Sequence, residues 1–373
     1  MFQYTFYFTH YPRKEEITKL LENKKKTFLN YYVDVKGTLP KLFDEKFFKF
    51  LVNLSSDDLH RIIVRSVNHF IKYFGYLLNS AYDFNLFPRI FLFYETGESR
   101  YHKQIDTTYK SSRFEPQLLT ESEMIRAGEI RHLILQLVKG IANLIPNMFC
   151  IHWKYFEADV VPHYLLSNFS KLRSDDNLNV IFSNDKDMFQ TLKFPDTYQI
   201  VFRNKTRYIV DDSNAWKILI KKPEDNSDPI PSRFIPFGLA VAGDDADCVS
   251  GVKGLGYIKL YRILQKHLER IKDLPDSKSL LNYFSTIKLS NKDEQKIVDN
   301  LDLIEKNLKL VDFEIIQENI PITIKTQTLS LLRENIEKTH SLDELKKYLN
   351  ELLKSDEIDL SPLKTHFQIL SRR

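Results

Sequence analysis

The feature that most constrains this chain is an alternation of two apolar periods. Short runs of strand length occur at Leu29–Asp34, Arg89–Tyr94, Met148–Trp153 and Asn179–Ser183. Between them lie longer segments with apolar residues at helical spacing. Leu59, Ile62, Ile63, Val67, Phe70 and Phe74 follow the capping cluster Ser55-Ser56-Asp57-Asp58, and a second helix is expected from Glu121 to Leu144. Lys14 to Lys26 reads as a charged helix, and Glu157 opens another. Tyr198–Arg203 and Thr206–Val210 read as a hairpin. Strands separated by helices predict an α/β domain with a mainly parallel sheet. After about Phe237 the pattern is almost wholly helical, and the proline-rich segment Pro223–Pro236 is the expected join.

Composition removes several classes. The chain has 373 residues, 43% hydrophobic and 28% charged, which suits a packed core and argues against global disorder. Two cysteines, Cys150 and Cys248, exclude a disulfide scaffold and a cysteine-rich zinc module, and fit a reducing cytosol. The apolar stretch Leu133–Met148 is broken by Gln136, Lys139 and Asn143, so no membrane span is expected. Met1-Phe2-Gln3-Tyr4 does not open a basic region followed by a long apolar one, so no secretory signal is expected.

The position of the acids is more informative. Asp34, Glu95, Asp185 and Asp187 each fall at or just beyond the end of an expected strand. In an open parallel sheet, that edge is where ligands bind. Glu157 and Asp159 stand at a helix start after another strand, and Asp244 and Asp247 are three apart on a turn. Eight carboxylates at one edge require counter-charge. Oxygen-only ligands suit Mg²⁺ or Mn²⁺, and a pair of such ions serves phosphodiester hydrolysis. An isolated Asp-x-Asp pair is usually a solvated loop pair or a cap; the ordered set is much harder to obtain by chance. There are 54 basic and 50 acidic residues, so committing eight acids to metal leaves the remaining surface near about +12, which favours a polyanion.

Four residues past Asp247 comes Gly251-Val252-Lys253-Gly254-Leu255-Gly256. Its glycines permit a tight turn between helices and close backbone approach, and its amides can cradle a phosphate or help hold a monovalent cation. An ordinary helix–helix turn would look similar.

Three segments together resemble the flap endonuclease/5′-nuclease family, which carries a PIN-like nuclease domain. Phe156-Glu157-Ala158-Asp159 resembles its Glu-Ala-Asp-Asp motif. Ser183-Asn184-Asp185-Lys186-Asp187-Met188 resembles its Ser-Gly-Asp-x-Asp-Leu strand end. Gly243 to Asp247 and the glycine turn resemble its Gly-Asp-x-x-Asp segment and helix–three-turn–helix. Tyr109-Lys110-Ser111-Ser112-Arg113 matches the family's Tyr-Lys-x-x-Arg. Arg131 to Leu135 and Asn307 to Phe313 are similar to its primer-removing bacteriophage members.

The resemblance implies a PIN-like domain over 30–236 with an arch at about 97–120, after an extension at 1–29. A helical DNA-binding domain follows over 237–373, with the helix–three-turn–helix at about 243–272. It implies cleavage from or near a 5′ end by two Mg²⁺ ions, with Mn²⁺ as a substitute and K⁺ at the glycine turn. Asp34, Glu95, Glu157, Asp159, Asp185 and Asp187 would surround one ion; Asp185, Asp187, Asp244 and Asp247 would lie toward the other. Lys103, Lys110 and Arg113 would hold the scissile phosphate. Arg100, Tyr109, Gly251, Lys253, Gly254, Gly256 and Lys259 would contact DNA. The implied substrates are 5′-flap or nicked duplex DNA and RNA–DNA hybrids, handled by a monomer in the cytoplasm, the host's if the gene is a phage's. A polymerase, a clamp or a single-strand-binding protein would be its partners.

Two positions depart from the family. Glutamate stands at Glu95 in place of aspartate, and Val160 replaces the last acid of Glu-Ala-Asp-Asp, with Asp245 as an extra acid nearby. These departures keep open a second reading, a catalytically weak structure-specific DNA binder. His102 is expected to line the arch, while His152 and His163 are read as packing residues. Lys24-Lys25-Lys26 is read as a solvated face. The helices from about Asn300 are expected to pack on the helical domain.

Overall fold

The computed structural model describes residue 8 and residues 11–39, 44–111, 119–203, 206–222, 224, 226–287, 291–336, 341–355 and 357–371. Six strands form one sheet: β1 Phe28–Asp34, β2 Phe87–Thr96, β3 Met148–Lys154, β4 Asn177–Phe182, β5 Thr197–Arg203 and β6 Thr206–Val210. Their order is β3-β2-β1-β4-β5-β6. β1 to β5 run parallel, and β6 returns antiparallel to β5 as the expected hairpin. The chain builds outward from β1 to β3, then crosses to the other side of β1 to lay down β4. The order therefore reverses beside β1, and the crevice of such a sheet opens at the carboxyl ends there.

Both faces of the central strands are covered, which is why their sequences are nearly continuous apolar runs. Tyr31 and Val33 point to one face and Tyr32 to the other. Tyr32, Phe91 and Phe149 stack across three neighbouring strands, with ring centroids 5.0 and 4.9 Å apart. On the first face lie the helices Ser56–Tyr82 and Glu121–Leu144. Ser55 caps the former through the Asp58 N–H, and a Thr120–Glu123 capping box starts the latter. The second face is covered by Val161–Asn168, Phe313–Glu318 and Ile322–Ile336, where the Trp153 indole donates to Thr328 at 3.1 Å.

The helices Ile235–Ala242, Tyr257–Ile271, Ser277–Thr286, Lys292–Val298 and Leu301–Val311 form a third cluster. Its core takes in Phe189, Val201 and Val210 from the sheet side. Packing is thus continuous across the join expected at Pro223–Pro236.

The last helices differ from expectation. Leu342–Leu353 and Lys364–Leu370 pack on the first face of the sheet domain, not on the helical domain. Leu345, Leu349, Leu353, Leu360 and Leu363 share the core of Phe74 and Leu78. Leucines four apart supply the apolar edge, and Gly75 leaves room for the approach: a Cβ there would lie 2.6 Å from the Pro362 carbonyl. His366 closes the contact, donating through Nε2 to the Pro146 carbonyl at 2.9 Å and accepting from the Tyr82 hydroxyl at 2.7 Å.

The lysine run at 24–26 also differs. Lys24 and Lys26 both pair with Asp196, at 2.6 and 2.5 Å, and the Lys26 side chain is only 4% exposed. The charged helix ends earlier, at Leu21, so these lysines lie in the loop entering β1 and tie it to the β4–β5 connection. Among the described residues, no helix is long and apolar enough to cross a membrane.

Candidate metal centre

Each strand end delivers its acid through a local device. Asp34, the last residue of β1, caps the one-turn helix Val35–Thr38. Its Oδ1 accepts the Gly37 N–H at 2.9 Å and its Oδ2 accepts the Ser183 hydroxyl at 3.1 Å. Burial raises its pKa to about 7 against the opposing Gly37 bond, with repulsion from Glu95 and Asp185 adding to the rise. Glu95, one residue before the end of β2, accepts the Ala158 N–H at 3.3 Å and pairs with Lys36. Asp185 follows β4 and accepts the Asp187 N–H at 2.9 Å, while its own N–H donates to Ser183 at 3.1 Å.

The remaining acids come from turns. Glu157 precedes the 3₁₀ turn Ala158–Val160 and pairs with Lys110 at 2.7 Å. Burial holds Asp159 well above the usual carboxylate range, and Glu95, Asp185 and Asp34 add to the rise in that order. Asp187 is likewise raised, by burial first and Asp185 second. Asp244 and Asp247 sit on a turn closed by paired backbone bonds between Asp244 and Val249, at 2.8 and 2.9 Å. Here the glycines have a specific cause. Gly243 has φ +79°, and a Cβ on it would lie 2.4 Å from the Gly251 amide nitrogen.

The structure brings the predicted acids into two linked groups. Asp34, Glu95, Asp159 and Asp185 repel one another across the strand ends. Asp187, Asp244 and Asp247 each offer a carboxylate oxygen within 4.8 Å of the others. A narrow cleft lined by Glu157, Asp159, Asp187 and Asp247 joins the groups, with Lys110 on its wall. The donors are oxygens throughout, as a hard divalent ion requires. The Asp187 Oδ1 is also buried without a hydrogen-bond partner among the described residues. A buried, unpartnered carboxylate oxygen facing two further carboxylates fits a cation.

The basic residues divide. Lys110 lies inside the centre, 2.7 Å from Glu157 and 3.8 Å from Asp247, and its N–H donates to the Asp247 carbonyl at 2.9 Å. Lys103 instead donates to the Thr107 carbonyl at 3.2 Å and faces Glu98 at 3.9 Å, within its own segment. Arg113 lies outside the described residues. Arg100 is exposed, with its guanidinium 4.2 Å from the Tyr155 ring centroid.

Among the expected DNA contacts, Tyr109 differs most. Its ring is buried in the helical core and stacks on His102 at 4.5 Å, so no face is open to a base. Its hydroxyl donates to Asp247 at 3.3 Å. Gly251 also differs: a Cβ there would lie 2.2 Å from the Ala242 carbonyl oxygen, so its close approach is to the chain's own backbone. Gly254 turns at φ +79°, and its carbonyl accepts from Lys259 at 3.0 Å. Gly256 precedes the helix Tyr257–Ile271. Lys253, Gly254, Gly256 and Lys259 are exposed.

The histidines are packing residues. Burial lowers the His102 pKa to about 3, and its ring lies between Ser99 and the Leu310 carbonyl. His152 stacks on Tyr94, and buried His163 faces Glu314 at 3.3 Å. Val160 is fully buried among apolar side chains, and Asp245 is exposed. Two members of the centre were missed from sequence. Lys36 pairs with Glu95, and Lys186 lies 2.5 Å from Asp244. Each stands one or two residues from an acid, and that proximity was the available signal.

No protein-family model matches the sequence, and no curated protein matches it. In three dimensions the chain shares its fold, a six-stranded mostly parallel sheet with flanking helices, with solved structures. One similar structure is the T5 D15 protein co-crystallised with metal ions. The two share 18% identity over 87% of this chain and 99% of that one, with a TM-score of 0.51. Another is the T5 5′-exonuclease with bound zinc ions, at 17% identity over 87% of this chain and 98% of that one, with a TM-score of 0.50. At such identities the likeness is one of fold.

Proposed function

We propose that the chain is a divalent-metal-dependent 5′-nuclease that hydrolyses phosphodiesters at or near 5′ ends. The observation that carries this reading is the gathering of acids at the carboxyl edge of the sheet. Asp187, Asp244 and Asp247 lie within 4.8 Å of one another, and the Asp187 Oδ1 is buried without a partner. The fold shared with a 5′-exonuclease whose structure holds divalent ions supports it.

Asp34, Glu95, Glu157, Asp159, Asp185 and Asp187 would hold one Mg²⁺ ion. Asp185, Asp187, Asp244 and Asp247 would hold a second, and Mn²⁺ would serve in place of either. When bound, such ions activate water and stabilise the leaving oxygen. Lys110 binds the scissile phosphate and orients it against the acids. Arg113 would act with it from the arch; Lys103 is the weaker candidate, given its contacts with Thr107 and Glu98. Arg100, Lys253, Gly254, Gly256 and Lys259 would grip the phosphates of duplex DNA, with K⁺ at the turn between 254 and 256. Such contacts read structure rather than sequence.

The substrates would be 5′ flaps, nicked duplex DNA and RNA–DNA hybrids, as in primer removal during replication of a bacteriophage-type genome. The enzyme would work as a monomer in the cytoplasm beside a polymerase, a clamp or a single-strand-binding protein. The test is product polarity. A 3′-labelled 5′-flap duplex and an RNA–DNA hybrid are incubated with Mg²⁺, Mn²⁺ or EDTA. Label shortened stepwise or by one flap length from the 5′ end, only with metal, is expected. The ratio of the two rates separates primer removal from flap processing. Retention of both substrates without cleavage would overturn the enzyme reading in favour of a DNA-binding protein.

A further inference from the structure

Lys186 stands between two of the acids, Asp185 and Asp187, yet its ammonium reaches a third. Its Nζ lies 2.5 Å from the Asp244 Oδ2. The side chain is 25% exposed and that of Asp244 is 11% exposed, so the pair is largely shielded from solvent. Asp244 also belongs to the group whose oxygens lie within 4.8 Å of one another. Its other oxygen, Oδ1, accepts the Ala246 N–H at 3.1 Å. Both oxygens of Asp244 are therefore engaged by the protein itself, and one of them by a full positive charge.

We propose that Lys186 competes with a divalent cation for Asp244, and so sets the affinity of the Asp187–Asp244–Asp247 position. This rests on the nuclease reading above. A cation entering that position must share Asp244 with the ammonium or push it aside. Like charges held a few ångströms apart in a shielded site repel strongly. The strand-end group differs. Asp34 is held there by the neutral donors Gly37 and Ser183, which do not repel an incoming ion; the lysines of that group, Lys36 and Lys110, pair with Glu95 and Glu157 and, among the described residues, not with Asp34, Asp159 or Asp185. The position at Asp187–Asp244–Asp247 is consequently the weaker and more exchangeable of the two. Lys186 acts through Asp244 and is a positioning residue.

The test is Mn²⁺ binding to the full chain, followed by calorimetry and by the paramagnetic signal of free Mn²⁺. The variants are Lys186→Met, Lys186→Arg and Asp187→Asn. Wild type is expected to bind one ion tightly and one weakly, and Asp187→Asn, which removes an acid common to both positions, to lose the weak one and loosen the other. Lys186→Met should tighten the weak ion by at least about tenfold and leave the tight one unchanged, while Lys186→Arg, which keeps the charge, should stay near wild type. Equal or weaker binding in Lys186→Met, with wild type still binding through Asp187, would overturn the competition and leave the nuclease reading intact. A wild-type protein that binds no Mn²⁺ would overturn both. If Lys186 only braced the turn, both substitutions would weaken binding.

Discussion

The acids at the strand ends and the acids on the turn at 244–247 solve the same electrostatic problem differently. Asp34 and Asp185 are fixed by sheet register and by neutral N–H and O–H donors from Gly37, Ser183 and Asp187. Burial first, with repulsion from Glu95 and Asp185 added, raises the Asp34 pKa. Asp244 and Asp247 sit on a turn shaped by glycines and are balanced by Lys186 and Lys110. At the strand ends the charge of Asp34 and Asp185 is held on a rigid frame, with Lys36 paired to Glu95 beside them. The turn is locally balanced, and its charge is released only when a lysine moves.

This contrast can be broken by substitution. The largest effects should come from Asp185→Asn and Asp187→Asn, each of which removes an acid common to both proposed ion positions. Turnover should fall by more than about a hundredfold, beyond the loss typical of an outer-shell partner. Glu95→Gln should cost about tenfold, because Glu95 is already engaged by Lys36 and the Ala158 N–H. Equal losses would erase the distinction. Steady-state cleavage rates at saturating Mg²⁺ would decide.

Lys110→Met should lower kcat by roughly a hundredfold, the scale of losing one donor to a developing charge. KM should change less. A change confined to KM would make Lys110 a plain binding residue.

Stability in EDTA should move in opposite directions for the two regions. Asparagine at 34 keeps the cap and removes a buried charge, so Asp34→Asn should stabilise the protein at pH 8 by roughly 1–3 kcal/mol. The sign follows from a folded pKa near 7. A raised carboxylate costs stability as pH climbs from about 4 to about 7, and the variant escapes that cost. Asp244→Asn leaves the Lys186 ammonium without its carboxylate and should destabilise. Denaturant melts of both variants check this, and a shared sign would contradict it.

A last effect, confined to acidic pH, concerns the helix at the C-terminal end of the described residues. His366 is buried with its pKa lowered to about 4. It folds neutral, so its stabilisation is complete above pH 6.5 and is lost as pH falls from 6.5 toward 4, by as much as about 3 kcal/mol. Wild type should lose thermal stability over that range more steeply than His366→Asn. Parallel curves would mean that the ring does not hold the last helix in its neutral form.

The two regions were unequally legible in the sequence. The strands appear within a few residues of where the apolar runs place them, and the acids follow because register carries them to one edge. Lys36 and Lys186 were not legible as counter-charges. A lysine beside an aspartate in sequence is ordinarily solvated, and only the fold shows that Lys186 turns toward Asp244. Tyr109 sits in a basic, polar segment where the sequence leaves base stacking and plain packing equally open. Its burial depends on the helices behind it, and on His102 meeting it face to face. The leucines at 345, 349 and 353 announced an apolar edge without saying which surface it would cover. The close backbone approach that the glycines suggest is present at Gly251, where the segment it meets is the chain's own Ala242–Gly243.

The most direct test of the central claim is Mg²⁺-dependent release of a 5′ flap, measured for wild type and Asp187→Asn at matched folded fractions. Wild type is expected to cleave, with EDTA abolishing the activity and added Mg²⁺ restoring it, and the variant is expected to show none above background. Cleavage that persists in EDTA, or that survives the loss of the Asp187 carboxylate, would contradict it.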